Sequence, residues 1–144
     1  MNNKDMQSSI RTKHVINVAI GANGTLTGKI IDRKGYRGVE FVLGWGAVTT
    51  TGTIATVVVK EGDATGSMTS VADSNLLGTE ALASLLATTP RTSGVAQNVS
   101  KRLGYIGNKR YVQVNVVKTG TTSVGVCSVQ AILFNPESAP VTNP

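Results

Sequence analysis

The chain has 144 residues, 40% hydrophobic and 15% charged, with 14 Lys and Arg against 8 Asp and Glu for a formal net charge of +6. That length suits one domain, and a chain of about 150 residues buries roughly 68–70% of the surface it exposes when unfolded, so its core requires neither metal nor disulfide. A single cysteine, Cys127, excludes an internal disulfide and a multi-cysteine zinc site, and a single histidine, His14, nearly excludes a His-based metal site or a catalytic triad.

The charged fraction lies below the usual quarter, while Thr, Ser, Gly and Val abound, which is an all-β composition. One Trp, three Tyr and two Phe leave the core mainly to Val, Ile, Leu and Ala. The positive balance suits an acidic partner. The cations come in twos and threes without interleaved aromatics, so direct nucleic-acid binding is not expected. The opening MNNKDMQSSIRTK lacks the apolar run of a signal peptide, and there is no run of 18 apolar residues, so a soluble protein made in a cytoplasm, off the membrane, is expected.

In chain order, residues 1–11 are polar and without period, an expected N-terminal arm. Residues 12–20 form a strand in which Val15 and the pair Ile16 and Val18 compete for the inward face. After a turn at 21–24, a strand at 25–31 places Leu26, Gly28 and Ile30 on one side, and GYRG at 35–38 turns again. Val39, Phe41, Leu43 and Trp45 then alternate with Glu40, Val42 and Gly44, the period of a strand with its bulky set facing in. Residues 53–60 (TIATVVVK) are apolar on both sides, unsuited to an exposed edge, and end at Glu61-Gly62-Asp63. A short strand at 67–71 precedes a leucine-rich stretch at 75–86 compatible with a short helix, and 88–97 is a loop.

Residues 101–118 (KRLGYIGNKRYVQVNVVK) read as a β-hairpin about Gly107-Asn108, with Ile106 opposite Lys109 and Tyr111 lying over Gly104. Lys101, Arg102, Lys109 and Arg110 would then form a positive strip without answering carboxylates. Residues 124–134 are a long strand whose apolar phase slips from Val124 and Val126 to Val129, Ala131 and Leu133, which suggests a bulge near Cys127 or Ser128. Three of the four prolines fall in the last ten residues and hold a C-terminal arm, 136–144, extended. About eight antiparallel strands over 12–135, with at most one short helix, predict a single all-β domain, a jelly-roll-like β-sandwich; a closed barrel is the alternative.

Chemistry is sparse. His14 is expected to face solvent and Cys127 to be a buried thiol. Glu61 and Asp63, the only close carboxylate pair, read as a turn, and GANG and GWG lack the lysine and helix of a phosphate loop. Trp45 with Tyr36 could stack on a sugar, but Trp45 shares the phase of the core residues. No cofactor, no metal and no enzymatic activity are expected.

Four segments, GKIIDRKGYRGVEFVLGWGAV at 28–48, VVVKEGD at 57–63, VADSNLLGTE at 71–80 and KRLGYIGNKRYVQVNV at 101–116, together resemble the small decoration (cement) proteins that accompany the major capsid protein of tailed bacteriophages. The acidic run that usually follows the Val-x-Glu strand is here the less acidic Gly62-Asp63-Ala64-Thr65-Gly66. The resemblance implies a jelly-roll homodimer on the outside of the virion head, cementing the expanded shell by bridging major capsid protein subunits. On that reading Lys101, Arg102, Lys109 and Arg110, and secondarily Arg33, Lys34 and Arg37, contribute to the capsid contact. The alternatives are a head-to-tail connector, a minor tail or fibre component, or a carbohydrate-binding module.

Overall fold

A computed structural model of the chain describes residues 5–19, 23–47, 54–84, 98–119 and 126–141. The strands are β1 (Ile10–Ala19), β2 (Gly24–Thr27), β3 (Ile31–Asp32), β4 (Tyr36–Trp45), β5 (Ile54–Ala64), β6 (Ser67–Ser70), β7 (Leu76–Leu77), β8 (Val99–Tyr105), β9 (Tyr111–Thr119) and β10 (Val126–Pro136), with one short helix, α1 (Glu80–Ala83), between β7 and β8. They form two antiparallel sheets, ordered β1-β10-β4-β8-β7 and β2-β9-β5-β6, with β3 added beside β9. With β2 and β3 taken as one interrupted strand and the two-residue β7 set aside, eight strands divide four to a sheet. The chain crosses between sheets at nearly every connection, the double Greek key of a jelly roll.

The core lies between the sheets and is built as the period-two pattern dictates. Val39, Phe41, Leu43 and Trp45 of β4 face Val57 and Val59 of β5 and Val112, Val114 and Val116 of β9, and all are buried. Cys127, Val129, Ala131 and Leu133 complete the inner face of β10, which pairs with β4 in unbroken register from Cys127–Trp45 to Pro136–Tyr36. The expected bulge near Cys127 or Ser128 is therefore corrected: Cys127 continues the buried phase, and Val126 is exposed. The extra residue lies on the neighbouring strand. In β1 the register jumps from His14–Gln130 to Ile16–Val129, so Val15 is the bulge, and both Val15 and Ile16 are buried. That resolves their competition for the inward face.

The strand expected at 25–31 breaks at Gly28. Its backbone N–H is shared between the Val114 carbonyl (3.1 Å) and Asn115 Oδ1 (3.2 Å), Gln113 Nε2 donates to its carbonyl (2.7 Å), and Lys29 N reaches the bulged Val15 carbonyl (3.3 Å). A Cβ at Gly28 would overlap the Val114 carbonyl oxygen, which is why glycine stands there. After this interruption Ile31, not Ile30, enters the core. GYRG is likewise half turn and half strand: the bend is at Lys34-Gly35, and β4 already begins at Tyr36.

The opposite side of the sandwich is closed by α1. Gly78, at φ +93°, stops the leucine-rich segment from continuing as one helix, and Thr79 caps a single turn by accepting from Leu82 N. The side chains of that turn satisfy the open edge of β5. Val57 N donates to Ser84 Oγ (2.7 Å) and Val59 N to the Glu80 carboxylate (2.5 Å). From the other sheet, Trp45 Nε1 donates to the Ala83 carbonyl (2.9 Å). Leu76 is buried while Leu77 and Leu82 are exposed; the expected loop at 88–97 and the turn at 21–22 lie outside the described residues.

The hairpin reading of 101–118 is overturned. β8 pairs with β4 and β7 in one sheet, whereas β9 pairs with β2, β3 and β5 in the other. Residues 106–110 therefore carry the chain across the end of the sandwich instead of reversing it within a sheet. The cause is packing: Tyr105 and Val112 are both buried core residues, and each strand finds its ladder partners far away in sequence. Tyr111 accordingly pairs with Gly62 and Asp32, while Gly104 lies beside Glu40 and Leu77.

Candidate functional site

The crossing from β8 to β9 organises one end of the molecule. Tyr105, buried at the end of β8, donates its hydroxyl hydrogen to the Glu61 carboxylate on β5 and accepts from Lys109 N (3.0 Å). Burial, reinforced by the hydrogen bond to Glu61, pushes the phenol up to about 12. Gly107 is required for this arrangement, because a Cβ there would lie 2.5 Å from the tyrosine oxygen. One phenol thus ties the crossing loop and both sheets together.

Cations gather around this clasp. The Arg33 guanidinium lies over the Tyr105 ring (5.2 Å) and donates to the Arg37 carbonyl (3.3 Å), while Arg33 N donates to the Arg110 carbonyl (3.1 Å). Arg110 forks onto Asp32 through Nε (3.0 Å) and Nη2 (2.7 Å) and packs over Tyr111 (4.9 Å). Hydrogen bonds from Arg110, then that of Lys34 N, and the charges of Arg110 and Lys13 hold the Asp32 carboxyl down at about 2 against the opposing effect of burial. Lys109 reaches Asp63 at 2.5 Å, an exposed pair whose hydrogen bond holds the ammonium above its ordinary range.

Five of the seven sequence-selected cations, Arg33, Lys34, Arg37, Lys109 and Arg110, therefore meet at one end of the sandwich. The other two do not. Arg102 stands on the outer face of its sheet, 3.7 Å from Glu40, and Lys101 points to the side closed by α1, donating to the Ser84 carbonyl (2.8 Å). The uniform strip without answering carboxylates is thus corrected: Asp63, Asp32 and Glu40 answer Lys109, Arg110 and Arg102. Sequence reasoning missed those partners because Asp63 and Asp32 lie 46 and 78 residues from the cations they meet. It also passed over Arg11 and Lys13 of β1, on the strand beside this end. Among the described residues, the Lys34 and Arg37 side chains have no partner.

Among the described residues no three His, Cys, Asp or Glu side chains gather as a metal site. The carboxylates at this end accept from tyrosine, lysine or arginine, His14 is exposed, and Cys127 is buried with its thiol pushed up to about 12 by desolvation. Trp45 is inside, so it offers no sugar platform. Two grooves flank the 136–141 segment. One of about 580 Å³ is lined by Ile10, Arg37, Phe134 and Glu137, and one of about 400 Å³ by Arg11, Tyr36, Pro136 and Glu137.

Among solved structures, the PBSX exported protein XepA superposes over 91% of this chain with a TM-score of 0.50 at 17% identity. The chain shares its fold with XepA. It spans 39% of that protein's length. A structure of infectious bursal disease virus, Gx strain, aligns with 91% of this chain and 33% of its own (TM-score 0.47, 11% identity). The N-terminal cellulose-binding domain of the Cellulomonas fimi β-1,4-glucanase C aligns with 88% of this chain and 80% of its own (TM-score 0.37, 13% identity). No protein-family model matches the chain, and no curated protein matches its sequence. No helix among the described residues is long and apolar enough to cross a membrane.

Proposed function

We propose that this chain is a structural virion protein, without enzymatic activity, that binds the outer surface of a tailed-phage head and cements the expanded shell by bridging major capsid protein subunits. The observation that carries the reading is where the resembling segments fall. Residues 28–48, 57–63, 71–80 and 101–116 supply β3, β4, the ends of β5 and β9, the β7–α1 edge and the Tyr105 clasp. They include Tyr105, Gly107, Glu61 and Asp32, the residues that position the cations. A jelly roll with a pinned, cation-rich end suits repeated adhesion to an acidic shell and needs no cofactor.

Cementing follows from linkage. A protein that bridges neighbouring subunits only in the expanded shell stabilises that state, by about 2.7 kcal/mol per site at a hundredfold excess over the dissociation constant. Repeated over a shell, that modest gain opposes contraction and bursting. The test is quantitative mass spectrometry of gradient-purified particles. A ratio near one copy, or a simple fraction of one, per major capsid subunit is expected. About a dozen copies or fewer per particle would instead assign the chain to a connector or fibre, and absence would reject the virion role.

A further inference from the structure

We propose that the outer edge of β1, with Arg11 and Lys13, is a docking strip for an extended acidic segment of a partner protein, which adds alongside β1 as a further strand. Among the described residues β1 pairs with β10 alone, and beyond that ladder its backbone makes the Ile10 N–H bond to the Met6 carbonyl (3.1 Å) at its start and takes the Lys29 N contact at the Val15 bulge. The stretch from Arg11 to His14, before the bulge, is regular and sits at the edge of a five-stranded sheet. Such an edge presents unpaired N–H and C=O groups, the requirement for strand addition.

The charge on this edge selects the occupant. Arg11 and Lys13 are half-buried at alternate positions of one strand, in the phase that pairs with Leu133 and Ala131. Two residues of strand advance about 6.8 Å, so carboxylates at alternate positions of an added strand would meet both cations in register. Neither side chain makes a hydrogen bond or close ion pair among the described residues, Lys13 acting on Asp32 only as a nearby charge. The nearby Asp32 is already saturated by Arg110 and Lys34 N, and the remaining wall of the adjoining groove carries a single carboxylate, Glu137, beside Tyr36, Pro136 and Val141. Lys34 and Arg37 extend the positive field past the end of the strand. Inward-phase charges on an edge also discourage pairing with a second, equally basic copy of β1. A nucleic acid could meet the charge but not the backbone edge.

The proposal takes from the capsid reading only the identity of the partner, so its test uses the isolated chain and stands or falls apart from virion copy number. The isotope-labelled full-length protein is titrated with acetyl-DVDVDV-amide, with acetyl-KVKVKV-amide and with oligothymidylate, and backbone amide shifts are followed. Saturable shifts confined to residues 10–15 and 34–37, given by the acidic peptide alone and weakened at least about tenfold between about 50 mM and about 500 mM salt, are expected. Arg11→Glu with Lys13→Glu should abolish them, and the milder Arg11→Gln with Lys13→Gln should weaken them several-fold while the rest of the spectrum is unchanged. Lys60→Glu and Lys118→Glu, on the other sheet, should bind as the wild type. Equal binding of the lysine peptide or the oligonucleotide, shifts mapping to another edge, or full binding by the folded Gln variant would overturn the proposal.

Discussion

Replacing Gly28 with alanine should be among the most damaging single-methyl changes available to this protein. The new Cβ would overlap the Val114 carbonyl oxygen and lie 2.8 Å from Val15 Cγ1, so the crossing from β2 to β3 must move away from β9. That movement breaks the Gly28 N–H bond to Val114 and Asn115, the Gln113 bond to the Gly28 carbonyl, and the Lys29 link to the bulge in β1. Gln113 and Asn115 are buried and would lose partners without regaining water. At about 1 kcal/mol net for each bond, with a further penalty for the stranded amides, the loss is about 3–5 kcal/mol. For a chain of this size that lowers the melting temperature by about 10–15 °C. Thermal and urea denaturation of Gly28→Ala would be compared with Gly66→Ala, where a Cβ meets nothing within 4 Å and the change should stay within about 1 kcal/mol. Equal melting of the two variants would refute the argument that this crossing holds the edges of the two sheets together.

Tyr105→Phe should cost about 1.5–3 kcal/mol, because it leaves the Glu61 carboxylate and Lys109 N without their shared partner. Since the phenol is raised to about 12 in the fold from 10.0, its contribution is complete below pH 10 and is lost as pH rises toward 12; alkaline melting curves should show this limb in the wild type and lack it in the variant. At the acid end, Asp32 is lowered to about 2 from 3.8, so its contribution is complete above about pH 4 and is lost as pH falls through 2, a dependence that Asp32→Asn should remove from acid unfolding curves. The Cys127 thiol, buried and raised to about 12, should react with a disulfide reagent no faster than the protein unfolds; rapid labelling of the native state would contradict its placement on the inner face of β10.

The all-β class, the inner faces of β4 and β10, the buried Trp45 and Cys127 and the exposed His14 were legible because strand period and local composition encode them directly. What escaped was long-range. Gly107-Asn108 satisfies the local chemistry of a hairpin turn, yet Tyr105 and Val112 enter the shared core from opposite sheets, and tertiary pairing overrides the turn. The phase slip read near Cys127 is not present, since β10 alternates without a break from Cys127 to Leu133; the extra residue, Val15, belongs to a neighbouring strand, which no reading of β10 alone could reveal. At the candidate site the cations were visible as residue types, whereas their carboxylate partners sit on other strands, so paired and unpaired cations looked alike. Ser84 and Glu80 gave no signal at all, since a serine and a glutamate at the ends of a short helical turn carry no mark of the strand edge they cap.

The pairing of β1 with β10 also sets a timetable for biosynthesis. At translation rates of about 5–20 residues per second, a ribosome that has just released β1 needs on the order of ten seconds to deliver the strand it must join. Until then β1 has no ladder partner, although β4, β8 and β7 can already pair with one another. The edge of the first sheet must therefore stay open from the synthesis of β1 to that of β10, and crowding many copies onto one transcript would risk cross-pairing between neighbours.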